Sequence, residues 1–258
     1  MSILIAVTIF LAGLIFGSFF NVCIYRLPRK KSIICPGSQC SQCKSAIKPW
    51  DNIPLLSFLI LHGKCRSCGY KISWRYPLVE ALTGFLFVSV YLKFGFTIES
   101  IPWFVLAALL VIITFIDIEF QLILNKITLP GVIVGIILSW QLIHIDIVDI
   151  GLGLLVGGGL LVVIAYLGKM FFGKESMGMG DVKMAAMIGV FIGAKGIALA
   201  LFFGFFIAGI FSVTGMALKK LERTSYLPFG PFIAAGTLLY IFLGEQIVLW
   251  YFRTMGII

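Results

Sequence analysis

Charge is scarce in this chain: 12% of its 258 residues are Asp, Glu, Lys or Arg, and there are two histidines. Soluble globules carry about twice that charge, so a soluble class is excluded. With only His62 and His144 available, neither in a useful place, no Ser-His-Asp or Cys-His set can be assembled. No strand is followed by a Gly-rich turn and a later acid, which excludes a soluble dinucleotide-type fold. Gly151-Leu-Gly153 and Gly157 to Gly159 lie inside an apolar run, and Gly189, Gly193, Gly196, Gly204 and Gly209 inside later ones, where small residues serve helix packing. No basic stretch precedes the first apolar run; its positive charges follow it, so it reads as a retained helix and not a cleaved signal.

What the chain has in quantity is apolar side chains. Sixty per cent of its residues are hydrophobic, and the mean hydropathy is +1.10. A bilayer core about 30 Å thick takes roughly 17 to 25 residues of helix. Suitable runs lie near 3–22, 77–95, 101–117, 127–145, 148–168, 181–194, 196–218 and 228–250. This spacing predicts an all-α polytopic membrane protein with about eight transmembrane helices. The sixth run is short, and glycines interrupt the fifth. Pro228 and Pro231 open the last, where a missing N–H costs least.

Lys and Arg set the expected orientation, because cytoplasmic loops retain positive charge. With the N-terminus outside, every basic residue except Lys93, Lys195 and Arg253 falls on the inner side. Lys174, Lys220 and Arg223 are among those inner charges. The net charge of +9 therefore reads as topology and attraction to anionic lipid, not as a nucleic-acid surface. Eight crossings return the C-terminus outside and put Asp117 and Asp181 at one cytoplasmic edge.

One segment, residues 26–76, is polar and basic and holds five of the six cysteines. It divides the chain into a first helix (1–25), a small cytoplasmic domain (26–76) and a membrane domain (77–258). Cys40-Ser-Gln-Cys43 and Cys65-Arg-Ser-Cys68 are two C-x-x-C pairs, and four thiolates suit tetrahedral zinc. A reducing cytoplasm argues against disulfides, and so small a domain needs a staple. Cys23, Cys35 and His62 read as bystanders.

Asp117 and Asp181 are the acids that matter, because ionisable groups at membrane depth are expensive and mark function. Asp117 opens the stretch to Asn125; Asp181 closes Gly178-Met-Gly-Asp181. Each has a structural alternative, a loop marker for Asp117 and a helix N-cap for Asp181. Together they suit hydrolysis: around one water, an ionised carboxylate takes a proton while a protonated partner polarises the carbonyl. Glu119, two residues from Asp117, points elsewhere on a helix. Lys183 serves to bias Asp181, to bind a carboxylate or to anchor the inner edge. A polytopic transporter or assembly scaffold with a zinc-stapled docking domain is the alternative reading, with the acids as ion ligands. A third, a protease acting within a substrate helix, would share the acids but lack the zinc domain.

An ordered set of motifs covers nearly the whole chain. Gly17-Ser-Phe-Phe-Asn21-Val-Cys-Ile-Tyr-Arg26-Leu-Pro28 comes first, then the C-x-x-C pairs, Asp51-Asn-Ile-Pro54 and Ile72-Ser-Trp-Arg75-Tyr-Pro77-Leu-Val-Glu80. Asp117 to Pro130, Gly178-Met-Gly-Asp181-Val-Lys183 and Leu227-Pro-Phe-Gly-Pro231 follow. With these motifs the chain resembles the bacterial type IV prepilin peptidases, bifunctional leader peptidases and N-methyltransferases. Two positions depart from the family pattern, Leu124 before Asn125 and Ser41 after Cys40, where proline is usual. The resemblance implies a multi-pass protein of the bacterial inner membrane with Asp117 and Asp181 as its catalytic pair. The substrates would be prepilins or pseudopilins, cleaved after Gly at the end of a short basic leader. The new amine would be methylated from S-adenosylmethionine, around Asn21, Arg26, Asn52, Arg75 and Glu80, with Lys183 a further substrate contact.

Overall fold

The structure, a computed structural model, describes residues 2–172, 178–219 and 227–254. Lys174, Lys220 and Arg223 of the charge pattern lie outside these. Eight α-helices follow one another: α1 (Ser2–Arg26), α2 (Leu56–Ile60), α3 (Arg75–Phe94), α4 (Ile101–Phe120), α5 (Asn125–Leu138), α6 (Ile147–Phe172), α7 (Met179–Ala217) and α8 (Gly230–Thr254). The described residues contain no named strand, and the chain is an all-α polytopic membrane protein. Seven of the described helices, all but α2, are long and apolar enough to cross a membrane. In hydrocarbon each backbone N–H and C=O needs an internal partner, which is why apolar runs of this length become helices.

The eight predicted runs reach seven helices because the sixth and seventh join in α7. They join at a break: Gly193 has φ 71° and ψ 178° inside that element. Only glycine takes this conformation without strain. A Cβ on Gly157 would meet both the Ala185 carbonyl and, at 3.1 Å, Ile197 Cγ1. In one straight helix those residues would stand about 18 Å apart, so the chain turns back at Gly193 and α7 is two antiparallel helices. Asp149 secures the turn, accepting the Ala194 N–H at 3.2 Å, where a helix N-terminus favours negative charge.

The chain forms two compact units, Met1–Ile112 and Ile113–Ile258. In the first, α1 packs on α3 through small residues: a Cβ on Gly17 would lie 2.7 Å from Glu80 Cα, and one on Gly13 2.7 Å from Gly84 Cα. Without a hydrophobic drive between helices in lipid, this close approach is what holds them. In the second unit α6 meets α7 where Gly153 and Gly189 leave no room for any side chain. The glycines expected to serve packing thus divide: Gly189 and Gly204 do so, Gly193 makes a turn, and Gly209 faces open space.

Candidate active site and metal centre

Four helix ends build the site in the second unit. Asp117 lies in the last turn of α4, Asn125 begins α5, Asp181 lies in the first turn of α7 and Gly230 begins α8. Both aspartates are buried, with exposures of 4% and 6%, and lie within electrostatic reach of each other. Asp117 Oδ2 accepts the Gly230 N–H at 2.9 Å. Asp181 is not a cap: the N-cap of α7 is Gly178 and makes no side-chain bond. The N-termini of α7 and α8 bring positive partial charge toward the two carboxyls.

The residues around the acids explain the motif spacing. A Cβ on Gly180 would sit 2.8 Å from Ile123 Cβ, and one on Gly230 would sit 2.7 Å from Asp117 Oδ2. Both glycines are close-approach positions. Lys183 Nζ donates to Asn125 Oδ1 at 2.9 Å, tying α7 to the turn after α4. Glu119 is exposed. Two apolar surface hollows, of about 310 and 480 Å³, are lined by Phe96 to Phe104 and by Phe205 to Thr214, and neither includes an aspartate.

In the first unit the Cys40, Cys43, Cys65 and Cys68 sulfurs all lie within 4.8 Å of one another. Cys40 and Cys68 Sγ are 3.8 Å apart, the edge of about 3.8 Å that a tetrahedron with zinc–sulfur bonds of about 2.3 Å requires. The two pairs form equivalent knuckles. Cys40 and Cys65 receive the same return, Cys40 N–H to Ser45 O at 3.0 Å and Cys65 N–H to Tyr70 O at 2.8 Å. Each turn passes through a positive φ one residue after the second cysteine, at Lys44 (59°) and Gly69 (71°). Ser45, 3.0 Å from Cys43 Sγ, holds that thiol down at about 6. For Cys68 the Tyr70 backbone bond lowers the thiol, but desolvation and the neighbouring sulfurs push it up to about 12. Four sulfurs this close need a cation to ionise together. Cys23 is buried in α1, and Cys35 stands outside the cluster.

The remaining predicted residues separate. Asn21 Nδ2 donates to Tyr76 O at 3.0 Å, and its Oδ1 is buried without a hydrogen-bond partner. Glu80 is buried and accepts the Leu55 N–H at 2.9 Å, with Ser18 also bonded to it. Arg26 donates to Ser32 O and Gly37 O, both at 3.0 Å, closing the start of the cysteine segment. The Arg75 guanidinium lies 4.7 Å from the Tyr76 ring centroid. Asn52 is exposed at the end of a 3-10 turn, Pro49–Asn52. Beside it Arg66 grips Asp51 bidentately, at 2.7 to 3.1 Å, and this guanidinium holds the Asp51 carboxyl below the usual carboxylate range.

Comparison with known proteins agrees with this geometry. The family described as "Bacterial Peptidase A24 N-terminal domain" matches residues 11–94, and "Type IV leader peptidase family" matches 104–213. A prepilin leader peptidase/N-methyltransferase of Bacillus subtilis is 36% identical over 249 residues, covering 95% of this chain and 97% of that protein. The chain belongs to the type IV leader peptidase family. Proteins of the same description from Myxococcus xanthus (39% identical, 88% of this chain and 69% of that one) and Pseudomonas aeruginosa (32%, 95% and 93%) agree. No solved structure matches the chain.

For a leader peptidase the sequence pointed to the acids but missed what holds them. Gly230 was read only as part of the Leu227 to Pro231 motif that opens the last helix, with no role of its own. Asp149 lies in the first turn of α6 with no motif around it. Lys183 is found with Asn125 in the second unit, whereas Asn21, Arg26, Asn52, Arg75 and Glu80 belong to the first.

Proposed function

We propose that this chain is a prepilin leader peptidase and N-methyltransferase in which Asp117 and Asp181 cut the leader. The observation that carries the reading is the pairing of two buried carboxyls from α4 and α7, one of them held by the first amide of α8. One water between them meets an ionised carboxylate, which takes its proton. The protonated partner donates to the scissile carbonyl oxygen. Charge develops beside helix N-termini whose orientation is already fixed, so little reorganisation is needed during the reaction.

Orientation by positive charge puts this pair at the cytoplasmic edge of the bacterial inner membrane, with the N-terminus outside. There it meets the short basic leader of a prepilin or pseudopilin, whose apolar helix stays in lipid, and cleavage falls after Gly. Residues 77–258 carry peptide hydrolysis. The four cysteines of residues 26–76 would hold one zinc ion, whose chemistry there is to staple two knuckles that lack a core of their own.

Methyl transfer to the new amine belongs with residues 26–76 and the adjoining ends of α1 and α3. S-adenosylmethionine carries a sulfonium and an ammonium, which call for acceptors. The enclosed Asn21 Oδ1 and the Glu80 carboxylate are acceptors of that kind. Arg75, a donor only, suits the carboxylate of S-adenosylmethionine, while Arg26 is occupied in closing its loop.

A prepilin peptide incubated with purified Asp117→Asn and Asp181→Asn proteins tests the dyad. Wild-type cleavage by either variant refutes it. Glu80→Ala tests the second activity, since unchanged methylation of mature pilin would remove Glu80 from that site. The transporter reading is not favoured by the family assignment.

A further inference from the structure

Residues 26–76 hold a helix that the peptidase and zinc roles leave unexplained. Helix α2 is five residues long, and Leu56, Leu59 and Ile60 are all exposed, Leu59 at 68%. These positions are three and four apart and share one helical face. Phe58 turns the other way, and its ring lies 4.9 Å from the ring of Trp74, which is 75% exposed. A polar, cytoplasmic segment has no reason to present such an apolar face to water.

The position of α2 along the membrane helix is fixed by one bond. Leu55, its N-cap, donates its N–H to Glu80 Oε2 at 2.9 Å. Glu80 lies in the second turn of α3, inside a segment apolar enough to span a membrane. The exposed face is therefore pinned at the depth where α3 enters the bilayer. Trp74 is the residue immediately before that helix, the place where membrane helices carry tryptophan at the headgroup level.

Charge identifies the surface. Residues 26–76 hold ten Lys and Arg against a single acid, Asp51, so this segment alone carries the whole chain's excess of +9. The Lys48 ammonium lies over the exposed Trp50 ring, 5.4 Å from its centroid, pairing a cation with an exposed aromatic in this segment. A strongly basic segment that carries an exposed apolar helical face is the pattern of a helix lying in an anionic interface.

We propose that α2 and Trp74 lie in the headgroup and acyl boundary of the same bilayer, anchoring the cysteine domain flat against anionic lipid. Leu56, Leu59 and Ile60 enter the acyl region, and the surrounding cations contact lipid phosphate. The domain is held at the membrane edge by α1 and α3 at its ends and by α2 between them. A substrate helix is the other candidate occupant, but a basic leader brings like charge to this segment.

The test uses the full chain in nanodiscs containing anionic lipid with acyl chains brominated near the headgroup. Replacing Trp74 by Phe is expected to remove a component of the tryptophan emission that bromolipid quenches and aqueous acrylamide does not. A Leu56→Gln, Leu59→Gln, Ile60→Gln protein is expected to lose amide protection across 56–60 in the same discs, with its zinc content unchanged. The proposal is overturned if acrylamide quenches Trp74 while bromolipid leaves it alone. It is equally overturned if that protection arises only when a prepilin peptide is added, since the face would then be a substrate dock. Leader cleavage measured on the same discs reports separately on the aspartates, so either reading can fail without the other.

Discussion

Asp117 and Gly230 are 113 residues apart in the chain, yet the Asp117 carboxylate accepts the Gly230 N–H at 2.9 Å. One aspartate of the pair is thereby held by the amide that starts α8. An Asp117→Asn side chain keeps an acceptor oxygen for this bond but loses the ionisable group. We expect leader cleavage to fall by about 10²- to 10⁴-fold, the usual worth of a positioned acid or base. The melting temperature should stay near that of wild type, and Asp181→Asn should lose a comparable amount of activity. Initial rates on a prepilin peptide, with melting followed in the same detergent, check both parts.

Gly230→Ala should damage the same step without touching a carboxyl. The added methyl would stand 2.7 Å from Asp117 Oδ2, so the carboxylate or the start of α8 must shift. A displacement of about 1 Å at a reacting group can cost about 10²-fold in rate. The expected signature is a fall in kcat, little change in KM for the peptide, and full zinc content.

These two predictions show where the sequence was readable. Apolar runs, the C-x-x-C pairs and the acids at span edges were legible, because each depends on composition or spacing within a few turns. The bond from Gly230 to Asp117 was not, since it joins the ends of helices far apart in the chain. Gly193 was misread for a different reason: a glycine in an apolar run looks the same whether it admits a neighbouring helix or reverses the chain. Only its φ of 71° distinguishes the two. The short sixth span hinted at it, because a run of that length fits one limb of a hairpin.

The turn at Gly193 should be a stability determinant. Alanine there must adopt a positive φ with an extended ψ, a region essentially reserved for glycine and costing about 1–3 kcal/mol, and its Cβ would collide with the Asp149 carboxylate. Asp149→Ala removes the acceptor for the Ala194 N–H, a loss worth about 0.5–2 kcal/mol at a helix start. Both proteins should melt earlier than wild type, with Gly193→Ala the worse. A Gly193→Ala protein that melts as wild type would mean that α7 does not turn back there.

The cysteine knuckles should separate the two activities. Structural zinc is worth about 10–16 kcal/mol to small peptides that fold around it, and the described part of this domain offers only Cys40 as a buried hydrophobic residue. Cys68→Ser, or a strong chelator, should therefore release one zinc ion per chain and expose residues 40–70 to proteolysis. The aspartates stand on α4 and α7 in the other compact unit, and nothing in their hydrogen bonding involves the knuckles. Cleavage of a prepilin peptide should persist at a reduced rate, while methylation of the released amine should vanish. Parallel loss of both activities at intact zinc would instead place the cysteine domain in the path of the substrate, and metal analysis alongside the two assays distinguishes these cases.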